Sequence, residues 1–178
     1  MFFIPGWLIE LLTFPGVIVH EIGHRIFCHL TGVPVYAVRY YKFWGKPSGF
    51  VIHGPPPTLK AALLIAIGPL ILNTLLCSLL TFSAVVPLII LKDSNTAFPD
   101  LLLMWFGISA GMHAFPSNHD MESFVEFVRD AGHGGALLLL AQGFAVLLKI
   151  ANLLRVIWFD AIYAVCVAAF LPLMFGLF

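Results

Sequence analysis

The chain has 178 residues, of which 61% are hydrophobic and only 10% are charged. Ordinary soluble domains carry about 45–50% hydrophobic and about 25% charged residues, so the composition excludes a water-soluble globule, whose surface needs more polar side chains. Nine basic residues balance nine acidic ones, and a nucleic-acid-binding protein is excluded because no overall positive field attracts phosphate. The mean hydropathy of +1.01 predicts an all-α polytopic membrane protein that lies in a lipid bilayer.

The apolar segments are long enough for four to five transmembrane helices, since one span needs about 20 mainly apolar residues. No positively charged leader or small-residue cleavage site precedes the first segment, so we expect that segment to remain as a membrane helix. The sequence leaves open whether the second and the last segment form one helix or two each. We expect a single domain, with a core at 7–130 and C-terminal helices at 136–178. The apolar segments are Trp7–Leu30, 59–91, 100–115 and 136–178, with candidate breaks at Pro69, Pro87 and the Arg155–Asp160 region.

The polar connections predict the orientation in the membrane. Segment 31–58 contains Arg39, Lys42 and Lys46 and no acidic residue. Because cytoplasmic loops are enriched in Lys and Arg, we expect 31–58 and 116–135 to face the cytoplasm. The N-terminus and the turn at 92–99 are then expected outside.

Two runs of β-forming residues in the cationic segment predict a small β-hairpin at the membrane surface. They are Val35–Tyr41 and Phe50–Ile52, and turn-forming Gly and Pro residues separate them.

The first apolar segment contains the motif His-Glu-Ile-Gly-His at residues 20–24. Residues four apart lie on one face of a helix, so His20 and His24 are placed to bind one zinc ion, with Glu21 beside them as a general base. Three such groups within an apolar helix are costly unless they are paired or face a water-filled cavity. The motif therefore predicts a zinc site with one Zn²⁺ per chain.

A catalytic zinc ion keeps three protein ligands, so a third ligand must come from elsewhere. The turn-rich segment that follows the third apolar stretch offers three candidates, His113, His119 and Asp120. An alternative role for Asp120 is that of N-cap of a helix over 121–129. The residues alone do not choose among these three ligands.

Together these motifs resemble the site-2 protease family of intramembrane zinc metalloproteases. Residues 20–24 resemble the HExxH motif of its first core helix, and Gly68-Pro69-Leu70-Ile71-Leu72-Asn73 resembles its GPxxN signature. Residues 116–120, Pro-Ser-Asn-His-Asp, stand where the family places a proline-containing turn that ends in an aspartate ligand. The resemblance covers the chain from about Trp7 to Asp120. The resemblance is to a divergent member, because no glycine follows Asp120, and to a minimal one, because no PDZ or CBS-like domain fits in 178 residues.

The resemblance implies that His20, His24 and Asp120 bind zinc and that Glu21 is the general base. The implied activity is hydrolysis of peptide bonds in transmembrane or membrane-adjacent protein substrates. A helix in lipid hides its carbonyls in hydrogen bonds, so the substrate must unwind. The surface hairpin is our candidate for a strand edge that holds the substrate in an extended form.

Three further residues are candidates for supporting roles. The resemblance implies that Asn73 orients the substrate or supports the site and that Asn118 shapes the ligand turn. A hydrogen bond between helices is the alternative role for Asn73. His53, beside a glycine in the cationic segment, is placed to line a water entry from the cytoplasm.

Two other functions fit the same metal motif. A metal-binding transporter needs ionisable groups along a path, and Lys149, Arg155 and Asp160 in the last apolar segment are candidates for such groups. A catalytically inactive membrane scaffold of the same fold is disfavoured, because a scaffold has no need to bury Glu21.

Overall fold

The computed structural model of the protein describes residues 6–45, 47–86, 98–130 and 135–175. These residues are mainly helical, as predicted, with one small two-stranded sheet. The helices are α1 (Gly6–Leu12), α2 (Phe14–Leu30), α3 (Leu59–Val85), α4 (Phe98–Met112), α5 (Asn118–Asp130), α6 (Ala136–Leu153) and α7 (Phe159–Met174). The strands are β1 (Val35–Arg39) and β2 (Phe50–His53).

The prediction of one continuous helix from Trp7 to Leu30 is wrong, because the helix breaks at Thr13 between α1 and α2. Pro15 lies in the first turn of α2, where its missing N–H costs no hydrogen bond. The Gly16 N–H donates to the Thr13 carbonyl oxygen at 3.0 Å and also to Ser109 Oγ of α4 at 2.9 Å. The break is therefore stabilised by the neighbouring helix.

Helix α3 has Thr58 as its N-cap, and the Thr58 side chain accepts a hydrogen bond from the Ala61 N–H at 3.2 Å. The helix continues through the predicted break at Pro69. Within the described residues, α3 is the one helix that by length and composition is able to cross a membrane, and only 33% of its most apolar stretch is buried inside the protein. The other predicted break, at Pro87, lies outside the described residues, as does most of the turn at 92–99.

Helices α2, α3 and α4 pack against one another and form the centre of the fold, with α7 against α3 and α4. Helices α2 and α3 approach each other closely at Gly23, where a Cβ atom would lie 2.9 Å from Pro69 Cα. Only a glycine fits there, and it lies within the His-Glu-Ile-Gly-His motif. Helix α5 packs on α6 and α3 through a cluster that includes Met121, Phe124 and Val128.

The predicted hairpin is confirmed, and the last segment, for which the sequence left open one helix or two, forms two. Strands β1 and β2 pair in antiparallel register, with Val38 opposite Val51 and Arg39 opposite Phe50. A 3-10 turn at Leu154–Ile157 separates α6 from α7, as expected for the Arg155–Asp160 region.

Candidate metal centre

Three predicted ligands from two distant parts of the chain converge in space. The Nε2 atom of His20 lies 3.6 Å from Asp120 Oδ2, and the Nε2 atom of His24 lies 3.4 Å from Asp120 Oδ1. Ligand atoms of the three residues all lie within 4.8 Å of one another. Asp120 belongs to α5, which is held against α3 by its buried apolar side chains, so the packing of α5 brings the carboxylate to α2.

The opposite ring nitrogens of the two histidines are held by backbone carbonyls. Nδ1 of His20 lies 2.8 Å from the His113 carbonyl oxygen, and Nδ1 of His24 lies 3.0 Å from the Ile65 carbonyl oxygen. A carbonyl only accepts hydrogen bonds, so each Nδ1 carries the hydrogen and each neutral ring has its lone pair on Nε2. Both lone pairs therefore face the Asp120 carboxylate. Partners of this kind commonly orient histidine ligands in metal sites.

The electrostatics of the cluster call for a cation at its centre. His24 Nε2 is buried and has no hydrogen-bond partner. Two imidazole lone pairs and a carboxylate, all acceptors, face one point, which fits a divalent transition-metal ion with one coordination position left open.

Asp120 does not have the alternative role of N-cap, because α5 begins earlier, at Asn118, and Ser117 is in the N-cap position. Ser117 N–H donates to Asp120 Oδ2 at 2.6 Å, and Asp120 N–H donates to Ser117 Oγ at 3.2 Å. This reciprocal pair is a capping box. It fixes the Asp120 carboxylate at the start of a helix while the same carboxylate faces the histidines.

Glu21 is buried beside the cluster, with 8% of its surface exposed. The chain before β2 passes directly over it: a Cβ atom on Gly49 would lie 2.7 Å from Glu21 Cγ and 2.8 Å from Glu21 Oε1. Residue 49 must therefore be a glycine for the hairpin to cover the Glu21 carboxylate in this way.

These groups line one cleft with a volume of about 640 Å³. Its walls come mainly from α2, α3, α5, the strand β2 and the segments beside β2, and residues of β1 do not contribute. His53 lies in the wall of the cleft, and its Nδ1 is 2.8 Å from the Gly54 carbonyl oxygen.

Asn73 supports the cluster from behind and is not among the residues that line the cleft. It is fully buried, and its Nδ2 group donates to backbone carbonyls of Gly16, Ala110 and His113 at 3.2, 3.0 and 3.0 Å. The third of these carbonyls also accepts from His20. Asn73 of α3 thereby connects α2 and α4, and it contacts the same His113 carbonyl that orients the His20 ring.

Asn118 lies away from the cleft, where its Oδ1 accepts a hydrogen bond from Asn152 Nδ2 of α6 at 3.2 Å. Asn152 also donates to the Pro116 carbonyl oxygen at 2.9 Å. Asn118 therefore belongs to the junction of the ligand turn with α6 and does not reach the cluster.

The two alternative third ligands line the cleft but do not join the cluster. The ring Nε2 of His113 lies 2.8 Å from Thr13 Oγ1 at the break between α1 and α2. His119 is exposed. Of the three candidates in the sequence, Asp120 is the one whose side chain meets both histidines.

Sequence reasoning missed the residues that hold the ligands in place. A Ser-x-x-Asp pattern at 117–120 is the known signal of a capping box, and it identifies Ser117. The Ile65 carbonyl, which holds His24, is also signalled in the sequence, because Pro69 four residues later has no N–H to donate to it. The position of Gly49 over Glu21 has no local signal.

The ionisable residues considered for a transport path have local partners. Lys149 Nζ lies 3.7 Å from Glu122 Oε1, and Asp160 Oδ1 accepts the Ala161 N–H at 3.0 Å. Neither Lys149 nor Asp160 lines the cleft, and the side chain of Arg155 lies outside the described part of the structure.

No family model, curated protein or solved structure matches the chain.

Proposed function

We propose that the protein is an intramembrane zinc metalloprotease of the site-2 protease type. The observation that carries the proposal is the convergence of His20 and His24 with Asp120, whose ligand atoms lie within 4.8 Å of one another, beside the buried carboxylate of Glu21. Two histidines and one carboxylate are a known ligand set of hydrolytic zinc enzymes.

Each residue has a separate task in this proposal. His20, His24 and Asp120 hold one Zn²⁺, which when bound supplies Lewis-acid activation of a water molecule and of the peptide carbonyl. Glu21 accepts the proton of the attacking water and returns it to the leaving amine. Gly49 keeps the Glu21 side chain confined against the cluster.

We propose a multi-pass membrane location with the cleft toward the cytoplasm. Large exposed apolar patches are rare on soluble monomers, and α6 and α7 expose a series of large apolar side chains. The cationic segment 31–58 favours the cytoplasmic side for the hairpin. The exposed residues include Leu139, Leu140, Leu147 and Leu153 of α6 and Ile162, Val165, Phe170 and Leu173 of α7.

The proposed substrate is a transmembrane or membrane-adjacent protein segment that unwinds before cleavage. Strand β2 lines the cleft, and in the described sheet its one partner is β1. A substrate bound as an added strand along β2 would pass next to Glu21, since Gly49 immediately precedes β2. This binding mode exposes the peptide carbonyls that a substrate helix conceals.

Metal removal tests the proposal. We expect the purified protein, in liposomes with a transmembrane substrate, to cleave the substrate, to lose the activity with a zinc chelator and to regain it with added Zn²⁺. Cleavage products are measured by mass spectrometry. Cleavage that continues in protein shown to be free of metal contradicts the proposal, and so does metal flux across the liposome membrane without any cleavage.

Gly49→Ala is expected to slow cleavage about 10²-fold, within the range that a general base supplies, and to leave Zn²⁺ bound. The added methyl group overlaps Glu21 Cγ and Oε1 and displaces the carboxylate. Cleavage rate and bound zinc are measured together. Gly143→Ala on α6 is the matched control, because no atom lies within 4 Å of its added methyl group, and we expect it to keep full activity. Equal rates for the two variants would refute the role of Gly49.

A further inference from the structure

The inference concerns Pro69, which lies in the interior of α3, and it rests on the proposed metal site. In an α-helix the N–H of each residue donates to the carbonyl four residues earlier. Proline has no N–H, so the helix leaves the Ile65 carbonyl without its usual donor. That carbonyl is the one that lies 3.0 Å from Nδ1 of His24.

We propose that Pro69 is a positioning residue of the metal centre, since it keeps the Ile65 carbonyl free to hold His24. The hydrogen bond from His24 Nδ1 replaces the helix bond that Pro69 cannot make. It also keeps the hydrogen on Nδ1, so that the lone pair of Nε2 faces the Asp120 carboxylate 3.4 Å away.

The same arrangement recurs at the second histidine. His20 Nδ1 is held by the carbonyl of His113, which lies immediately after the end of α4. Carbonyls at a helix C-terminus also lack intrahelical donors. Both ligand histidines are thus oriented by carbonyls that regular helix hydrogen bonding does not use, one at a helix end and one at a proline.

Pro69 also packs against α2, because the Pro69 Cα lies 2.9 Å from the position of a Cβ on Gly23. Packing alone predicts that a substitution changes stability and leaves the histidine tautomer as it is. The positioning role predicts a specific competition: an amide N–H at residue 69 gives the Ile65 carbonyl a second donor, aligned with the helix axis, which weakens its hydrogen bond to His24 Nδ1 and loosens the ring.

The test measures Zn²⁺ affinity of the full chain in detergent micelles, by competition with a chromogenic chelator. We expect Pro69→Ala to bind Zn²⁺ about 10–100-fold more weakly, the usual cost of losing a partner of a metal ligand. Pro172→Ala is the matched control, because Pro172 is also fully buried and inside a helix, α7. We expect it to bind Zn²⁺ as the unaltered protein does.

A second measurement determines the tautomer of the His24 ring directly. In the metal-free protein, ¹⁵N shifts of the His24 ring should report hydrogen on Nδ1, whereas Pro69→Ala should show a mixture of tautomers. Pro69→Val also restores the N–H while filling more of the ring volume, and it replaces Pro69→Ala if that variant does not fold.

Unchanged Zn²⁺ affinity in the Pro69 variants, or an equal loss in Pro172→Ala, overturns the inference. A protein that binds Zn²⁺ with the expected Pro69 effect but cleaves no substrate contradicts the proposed function alone. An active protease whose affinity and His24 tautomer do not respond to Pro69→Ala contradicts this inference alone.

Discussion

Glu21→Gln is expected to abolish detectable proteolysis while Zn²⁺ stays bound. Glutamine keeps the size of the side chain but does not accept the proton of the attacking water, and a general base contributes about 10²–10⁴-fold to the rate. Glu21 is not one of the three residues of the metal cluster, so affinity for the metal is expected to remain. The cleavage rate and the zinc content of the same sample are the two measurements.

Glu122→Gln provides the matched control for this change. Glu122 is on α5, outside the cleft, with 63% of its side chain exposed, and its contact with Lys149 is a surface ion pair of the kind that contributes little to stability. We expect this variant to cleave at the normal rate. Undiminished cleavage by Glu21→Gln contradicts the assignment of the base, and metal flux that survives the substitution favours a transporter.

Asp120→Asn is expected to remove both Zn²⁺ binding and proteolysis. Substituting a hydrogen-bond partner of a metal ligand commonly weakens metal affinity about 10–100-fold. The loss of Zn²⁺ affinity in Asp120→Asn should be larger, because this substitution removes the anionic ligand itself. Asparagine still offers an oxygen to the Ser117 N–H, which now lies 2.6 Å from Asp120 Oδ2, so α5 should keep its start. Zinc affinity of the purified variant, together with its helical circular dichroism, separates loss of the metal from loss of the fold.

Two controls accompany Asp120→Asn. Asp130→Asn makes the same chemical change at the exposed far end of α5, and we expect it to bind Zn²⁺ normally. His119→Ala removes the alternative ligand that is exposed in the cleft, and it should also bind normally. A loss of affinity in His119→Ala as large as that in Asp120→Asn would show that the third ligand is misassigned.

Local patterns were sufficient for the parts of the site that lie on one element. His20 and His24 share a face because a helix repeats at 3.6 residues per turn, whatever surrounds it. The hairpin followed from the β-forming runs and the turn residues between them, and the apolar length of α3 was evident in the sequence. The break at Thr13 was missed, although Pro15 is a signal for a helix start.

What the sequence by itself determined is therefore the mainly helical fold, the hairpin and the pair of histidines with Glu21, since these depend on neighbouring residues. Tertiary structure decided that Asp120, and not His113 or His119, meets that pair, because the meeting depends on how α5 packs against α3. It also decided which carbonyls hold the rings. Distances between remote segments follow from side-chain packing across helices, and a one-dimensional pattern of residues does not contain them.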